Sequence, residues 1–142
     1  MISDGHKGIK AAAEKAFLGA SWQMCHVHFE RDVLSKVPRK RCEEISQRIT
    51  KALKSVKEMQ KLIEELEGKG LTKAAFVCER YTYDLYNYQS FPVRHWDRIK
   101  TTNMVERVNK ELKRRSKVVG AFPNGKSLIR LAVMIVIDIN EE

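Results

Sequence analysis

Apolar residues recur at helical spacing along most of this chain. Over residues 39–66 they advance in steps of four and three, which predicts one long helix with a single buried stripe. Gly68 and Gly70 end that pattern, and a second helix is predicted to start at Thr72 as its cap. The stripes are Ile45, Ile49, Ala52, Val56, Met59, Ile63 and Leu66 in the first helix and Ala75, Cys78, Tyr81, Leu85 and Tyr88 in the second. The short loop between them predicts an antiparallel hairpin.

Two more helices are predicted toward the carboxyl end. The first is expected to begin at a cap, Thr101 or Asn103, and to end near Ser116. The second follows a Pro-Asn-Gly turn, with Ser127 as its cap and Ile139 near its end. The inward stripe of the first is predicted to be Val105, Val108 and Leu112.

The first thirty residues have a different pattern. Residues 8–18 are rich in alanine and predict a short helix, with Gly19 as its C-cap. Residues 21–29 alternate in polarity and predict a strand, with His26 and His28 on one side and Cys25 on the other. The apolar stripe of the short helix would be Ile9, Ala12, Ala13, Ala16 and Phe17. The predicted fold class is therefore mainly α, with an α+β fragment at the start.

Charge points to a polyanionic partner. Lys and Arg total 27 against 18 Asp and Glu, which gives a formal net charge of +9 and a pI near 9.6. Nucleic acid is the commonest partner for a small domain with such a surplus. A solvated surface on a lysine-rich protein is the alternative explanation.

Cysteine usage and hydropathy bear on location. The three cysteines, Cys25, Cys42 and Cys78, are odd in number and widely spaced, which fits a reducing compartment rather than a disulfide framework. No apolar run is long enough for a membrane span, and the first residues lack the apolar core of a signal peptide. We therefore expect a cytoplasmic protein with no membrane partner, and a nucleic-acid partner would make it nucleoid-associated.

Three segments carry more than helical patterning. They are S-D-G-H-K-G at residues 3–8, W-Q-M-C-H-V-H-F at residues 22–29 and T-T-N-M-V-E-R at residues 101–107. Phe91-Pro92 precedes Trp96, and a second Phe-Pro pair begins an F-P-N turn at residues 122–124. In wording and order, over nearly the whole chain, these segments resemble the Mutator-like transposases of bacterial insertion sequences and plant mobile elements.

The resemblance implies a site and a fold. It makes Asp4 the second catalytic aspartate and Glu106 the catalytic glutamate of a DDE-type transposase, both of them metal ligands. The first aspartate would lie ahead of Met1, so the chain is expected to be a C-terminal fragment that is inactive alone. The implied fold is ribonuclease-H-like, with residues 1–38 and 101–142 in its core and residues 39–100 as a helical insertion.

The resemblance also implies a cofactor and partners. DNA strand cleavage and strand transfer of this kind use two Mg²⁺ (or Mn²⁺) ions about 4 Å apart, and carboxylate oxygens suit such ions. Double-stranded DNA, as transposon ends and as target, is the expected partner, with a second copy of the chain or a full-length transposase. A helical DNA-binding or regulatory remnant that associates with full-length transposase is the alternative function.

Basic residues follow Glu106 on its predicted helix. At 100° per residue, Glu106 shares one face with Lys110, Lys113 and Lys117. A carboxylate followed by a ladder of cations suits a DNA channel, whereas the alternative is a solvated face with Glu106 and Lys110 as an ion pair. The candidate phosphate contacts are Arg107, Lys110, Lys113, Arg114, Arg115 and Lys117.

Both acids also have structural explanations. Asp4 suits a helix cap near Gly8 or an Asx-turn with Gly5, and Asn103 with Glu106 fits a capping box. The residues expected around the carboxylates are His6, Cys25, His28 and Asn103.

Each of these neighbours has alternatives. Cys25 and His28 invite a zinc interpretation, but even with His26 they do not close a tetrahedral site without distant partners. Opposite sides of a strand favour packing instead. His6 would contact a phosphate, orient Asp4 or lie exposed in a loop. Trp96 would stack on a base or pack in a core.

Overall fold

The computed structural model describes residues 1–141, which divide into one unit of residues Met1–Thr102 and a second that begins at Asn103. The first contains β1 (Ile2–Ser3), α1 (Lys7–Ala16), β2 (Gln23–Met24), α2 (His26–Leu34), α3 (Cys42–Ala52), α4 (Val56–Gly68), α5 (Thr72–Tyr81) and α6 (Trp96–Ile99), with 3-10 turns at Arg39–Arg41, Asn87–Ser90 and Val93–His95. The second contains α7 (Asn103–Val119) and α8 (Gly125–Glu141). The prediction of a mainly helical chain is confirmed, whereas the ribonuclease-H-like fold stays a prediction.

The core of the first unit lies among α2, α3, α4 and α5. Helix α2 directs His26, Phe29 and Val33 into it, because spacings of three and four residues place them on one face. Helix α5 packs against α4 after a short loop, as the predicted hairpin requires. The predicted stripes supply most other core residues, namely Ile45, Ile49, Ala52, Met59, Leu66, Ala75, Cys78, Tyr81, Leu85 and Tyr88.

The strand predicted over residues 21–29 is wrong except at Gln23–Met24. Cys25 is still extended, but it is the N-cap of α2, and the rest of the segment is helical. Strand β1 offers only two residues for pairing, so the ladder ends there. Phe29 then reaches the core from a helix rather than from a strand.

The helix predicted over residues 39–66 is interrupted and forms α3 and α4. Ser55 caps α4, because its Oγ accepts a hydrogen bond from Glu58 N at 3.3 Å. Tyr86 Oη donates to the carbonyl oxygens of Ala52 and Ser55, at 2.7 and 3.0 Å, which satisfies groups left over at the end of α3. Ser55 and Glu58 have capping-box spacing, a sequence signal that the apolar stripe overlooks.

Helix α1 forms where it was predicted, but its apolar stripe is wrong. Only Ala13 is buried in this helix, whereas Ile9 and Phe17 are 42% and 57% exposed. Gly19 has a φ of 81°, a left-handed conformation that glycine adopts without strain, so the chain can turn there after α1.

The second unit buries little of its surface. Ile135 is the one fully buried side chain described in it. The inward stripe predicted for α7 is wrong at Val105, which is 60% exposed, while Val108 and Leu112 are half-buried. The two helices therefore present many apolar side chains to solvent.

The boundaries of these two helices also differ from prediction. Helix α7 continues past the expected end, to Val119. Asn124 caps α8 in place of Ser127, because its Oδ1 accepts a hydrogen bond from Ser127 N at 3.0 Å. Within residues 1–141, none of the helices has the length and apolar character needed to cross a membrane.

Candidate functional site

Asp4 follows β1 and is exposed. Strand β1 pairs in parallel with β2, with Ser3 opposite Met24. Asp4 Oδ1 accepts a hydrogen bond from His6 N at 3.3 Å, which closes the Asx-type turn considered from the sequence. His6, rather than Asp4, caps α1, because its Nδ1 accepts from Gly8 N at 3.2 Å. A capped turn on a paired strand therefore holds the carboxylate at the surface.

The turn that carries Asp4 is packed against α5. Tyr81 Oη donates to the carbonyl oxygen of Gly5 at 3.3 Å. A Cβ atom at position 5 would overlap that hydroxyl, so only glycine fits without displacing the ring. Burial raises the pKa of Tyr81 above its usual value, so the hydroxyl remains protonated and can donate.

Side chains from residues 22–28 connect three separate segments of the first unit. We call these five the clasp: Trp22, Gln23, Cys25, His26 and His28. At the first segment, Trp22 Nε1 donates to Ser3 Oγ at 2.7 Å, and Ser3 Oγ donates to the carbonyl oxygen of Asp4 at 2.9 Å. Trp22 thus anchors the residue that precedes the candidate acid.

The second segment lies just after α5. Gln23 Nε2 donates to the carbonyl oxygen of Leu85 at 2.9 Å, and its Oε1 accepts from Tyr88 N at 2.9 Å. His26 Nε2 lies 2.9 Å from the same Leu85 oxygen, which can only accept, so the nitrogen carries the proton. Burial lowers the pKa of His26, and the charge of Lys100 lowers it further, although the hydrogen bond to the Leu85 carbonyl acts in the opposite direction. The imidazole ring is therefore neutral at neutral pH.

The third segment is residues 100–102. His26 N donates to the carbonyl oxygen of Lys100 at 3.0 Å. Cys25 Sγ accepts from Thr102 N at 3.4 Å and lies 3.5 Å from Thr102 Oγ1. His28 Nδ1 lies 3.5 Å from the same hydroxyl oxygen. Cys25 and His28 therefore meet at one residue, because a helix start places them on the same side.

The prediction that Cys25 and His28 face opposite ways is thus wrong. Burial raises the pKa of the Cys25 thiol, but hydrogen bonds with Thr102 and His28 together outweigh burial and hold that pKa below its usual value. Residues 1–141 contain no group of three or more His, Cys, Asp and Glu side chains arranged to hold a metal ion. Both side chains contact Thr102, and the packing role stays a prediction.

Glu106 lies in the first turn of α7, on the surface of the second unit. It lines a surface concavity of about 730 Å³. The other lining residues are Asn103, Arg107, Asn109, Lys110 and Lys113. A carboxylate and three cations therefore border one concave surface, with polar amides between them.

The remaining basic candidates are engaged differently. Arg114 makes two hydrogen bonds to Glu111, at 2.9 and 2.7 Å. Arg115 donates to Glu111 at 2.8 Å and to Asp138 of α8 at 3.4 Å. These bonds hold the pKa of Glu111 down at about 2. Lys117 is exposed further along α7.

Sequence reasoning missed two partners of the site. Thr102 belongs to the T-T-N segment, yet its contact with Cys25 spans 77 residues. Gln23 is part of the W-Q segment, but nothing local shows that it bonds to Leu85. Asp4 belongs to the first unit and Glu106 to the second. Their convergence on one metal site stays a prediction.

Comparison with known proteins identifies relatives over the full chain. The family model described as "Transposase, Mutator family" matches residues 1–142. The transposase for insertion sequence element IS256 in transposon Tn4001 of Staphylococcus aureus is 31% identical to it. The transposase for insertion sequence element ISRM5 of Rhizobium meliloti is 32% identical over 99% of the chain.

The relatives are considerably longer. The chain spans 38% of the length of the Staphylococcus aureus transposase and 37% of the Rhizobium meliloti transposase. The transposase for insertion sequence element IS1081 of Mycobacterium tuberculosis is 28% identical to it and is covered over 35% of its length. No solved structure matches the chain.

Proposed function

Since this chain belongs to the Mutator family of transposases, we propose that it supplies two carboxylates and a DNA-contacting helix to an enzyme that cleaves and joins DNA strands. The carboxylates are those of Asp4 and Glu106. The helix is α7, which carries Glu106 and the basic residues that follow it.

The surface around Glu106 is the observation that carries this proposal. Arg107, Lys110 and Lys113 border the same concavity as the carboxylate. Phosphate oxygens bind to such cations without regard to base sequence, which positions a duplex rather than selecting it. A DNA backbone bound along this surface would bring a phosphodiester close to Glu106.

Asp4 and Glu106 are the residues that would hold Mg²⁺ or Mn²⁺. Both are exposed carboxylates, and their hard oxygens suit these ions. A bound ion would activate the attacking oxygen and stabilise the leaving one at phosphorus. The resemblance assigns a third carboxylate to the site, and cleavage would need it beside Asp4 and Glu106.

A Mn²⁺ titration followed by electron paramagnetic resonance tests the metal part of the proposal. We expect Asp4→Asn and Glu106→Gln each to weaken Mn²⁺ binding at least about tenfold, because a few carboxylates supply most of the affinity. Asp97→Asn and Glu67→Gln are matched controls on exposed acids of the first unit and should bind as the unchanged chain does. Equal binding by all four variants would refute the site.

The same titration distinguishes the proposed function from the alternative one. A helical DNA-binding or regulatory protein that associates with full-length transposase needs the basic face of α7 but not the carboxylates. A chain that binds duplex DNA yet binds no Mn²⁺ through Glu106 would have that function instead. Association with a second copy stays a prediction under either function.

A further inference from the structure

Two clasp residues meet the chain just ahead of the Glu106 helix. Cys25 Sγ accepts a hydrogen bond from Thr102 N at 3.4 Å, and the Thr102 hydroxyl lies 3.5 Å from both Cys25 Sγ and His28 Nδ1. Asn103 follows directly as the first residue of α7, and Glu106 lies in its first turn. Thr102 is therefore the residue directly before that helix.

We propose that Cys25 is a positioning residue for Glu106, whose thiol fixes Thr102 and thereby the start of the helix that carries the carboxylate. His28 shares this role through the Thr102 hydroxyl. The importance of holding Glu106 rests on the proposed function, whereas the contact with Thr102 does not.

The chemistry of sulfur suits this position. Cys25 is fully buried, so water does not compete for its lone pairs. Its large atom accepts the Thr102 amide and contacts the Thr102 hydroxyl at ordinary sulfur distances, which are longer than those of an oxygen acceptor. Cys78 is equally buried but lies in the apolar core, where burial and then the charge of Glu79 raise its pKa to about 12.

The clasp extends the same arrangement to the other acid. Trp22 Nε1 donates to Ser3 Oγ at 2.7 Å, and Ser3 directly precedes Asp4. Residues 22–28 thus bond to the residue that precedes Asp4 and to the residue that precedes α7, although these two are far apart in the sequence.

Amide hydrogen exchange of the 142-residue chain, followed by NMR without metal, tests the proposal. Cys25→Ala should speed exchange at Thr102 about tenfold, because it removes a hydrogen bond of ordinary strength. Cys25→Ser keeps an acceptor and should restore much of the protection. Cys78→Ala is the matched control, since it leaves a similar cavity in the core but should leave Thr102 unchanged.

A second variant covers the case in which Cys25→Ala fails to fold. Thr102→Val keeps the shape of a half-buried side chain and removes the hydroxyl that Cys25 and His28 share. It should shift the NMR resonances of residues 103–106, whereas Thr101→Val should shift them less. Unchanged resonances in Thr102→Val, or equal exchange in Cys25→Ala and the unchanged chain, would overturn the positioning role.

The Mn²⁺ titration then relates this contact to the carboxylate. We expect Cys25→Ala to weaken Mn²⁺ binding about fivefold without changing the number of ions bound, as a misplaced ligand would, and Cys25→Ser to restore it. If the unchanged chain binds no Mn²⁺, the proposed function fails, and the exchange data alone decide whether Cys25 holds Thr102. Weaker Mn²⁺ binding in Cys78→Ala as well would overturn the specific role.

Discussion

The two units of this chain present their acids in different settings. Residues 1–102 bury Phe29 and most of the predicted stripe residues of α3, α4 and α5, although Val56 is 36% exposed and Ile63 is only half-buried. The turn of Asp4 rests on that core through Tyr81. Helices α7 and α8 bury only Ile135 among their described residues, and Val105 beside Glu106 is 60% exposed. Asp4 thus follows a turn that packs on a buried core, whereas Glu106 lies on a pair of helices that bury little of their surface.

The largest difference between the units should be in the stability lost when an apolar side chain is truncated. Phe29 is fully buried on α2, with its ring 6.5 Å from that of Tyr81 in an edge-on arrangement. We expect Phe29→Ala to lower the free energy of unfolding by about 3–5 kcal/mol, because it leaves a large cavity. Val105→Ala on α7 should change it by less than about 0.5 kcal/mol. Urea denaturation followed by circular dichroism measures both, and similar decreases would refute the difference between the units.

The second largest difference between the units should be in DNA binding, which we expect to depend on the lysines of α7. Replacing Lys110, Lys113 and Lys117 by Ala should lower the slope of log affinity against log salt by about one for each phosphate that no longer has a lysine beside it. The loss of DNA affinity should be similar for unrelated duplex sequences, because phosphates carry no base identity. The control is the variant with Lys40, Lys57 and Lys73 replaced by Ala, which removes the same charge from exposed sites of the first unit. Fluorescence anisotropy at several salt concentrations gives the slopes, and equal slopes for the two variants would remove α7 from the interface.

We expect the smallest effect from acid, which should remove the stability that Glu111 contributes to the second unit. The pKa of Glu111 falls to about 2 through its bonds to Arg114 and Arg115, below the value of about 4.3 for an unfolded glutamate. The stabilisation is therefore present above about pH 4.3 and disappears as the pH falls through about 2. Thermal unfolding by circular dichroism should show Glu111→Gln slightly less stable at pH 6, with the difference shrinking as the pH falls toward 2. A difference that stays the same from pH 6 down to pH 2 would contradict the assignment.

Local rules predicted the helices of this fold well and its short elements poorly. The stripes of α3 and α5 are buried because helical periodicity reports which side chains can face a core. The strand predicted at residues 21–29 failed because an alternating segment also suits a helix that buries Phe29 and Val33. The capping-box spacing at Ser55 indicates that a new helix begins there, but the apolar stripe continues across it and predicts a single helix.

The sequence by itself determined the family, the positions of the candidate acids and the basic helix after Glu106. Such features depend on residue type and spacing along the chain, and they persist whatever the rest of the molecule does. Only the tertiary structure decided that Tyr81 needs Gly5 beneath it, and that Cys25 and His28 meet Thr102. Those contacts join residues more than seventy positions apart, and no local propensity specifies which distant partner a buried polar group will find.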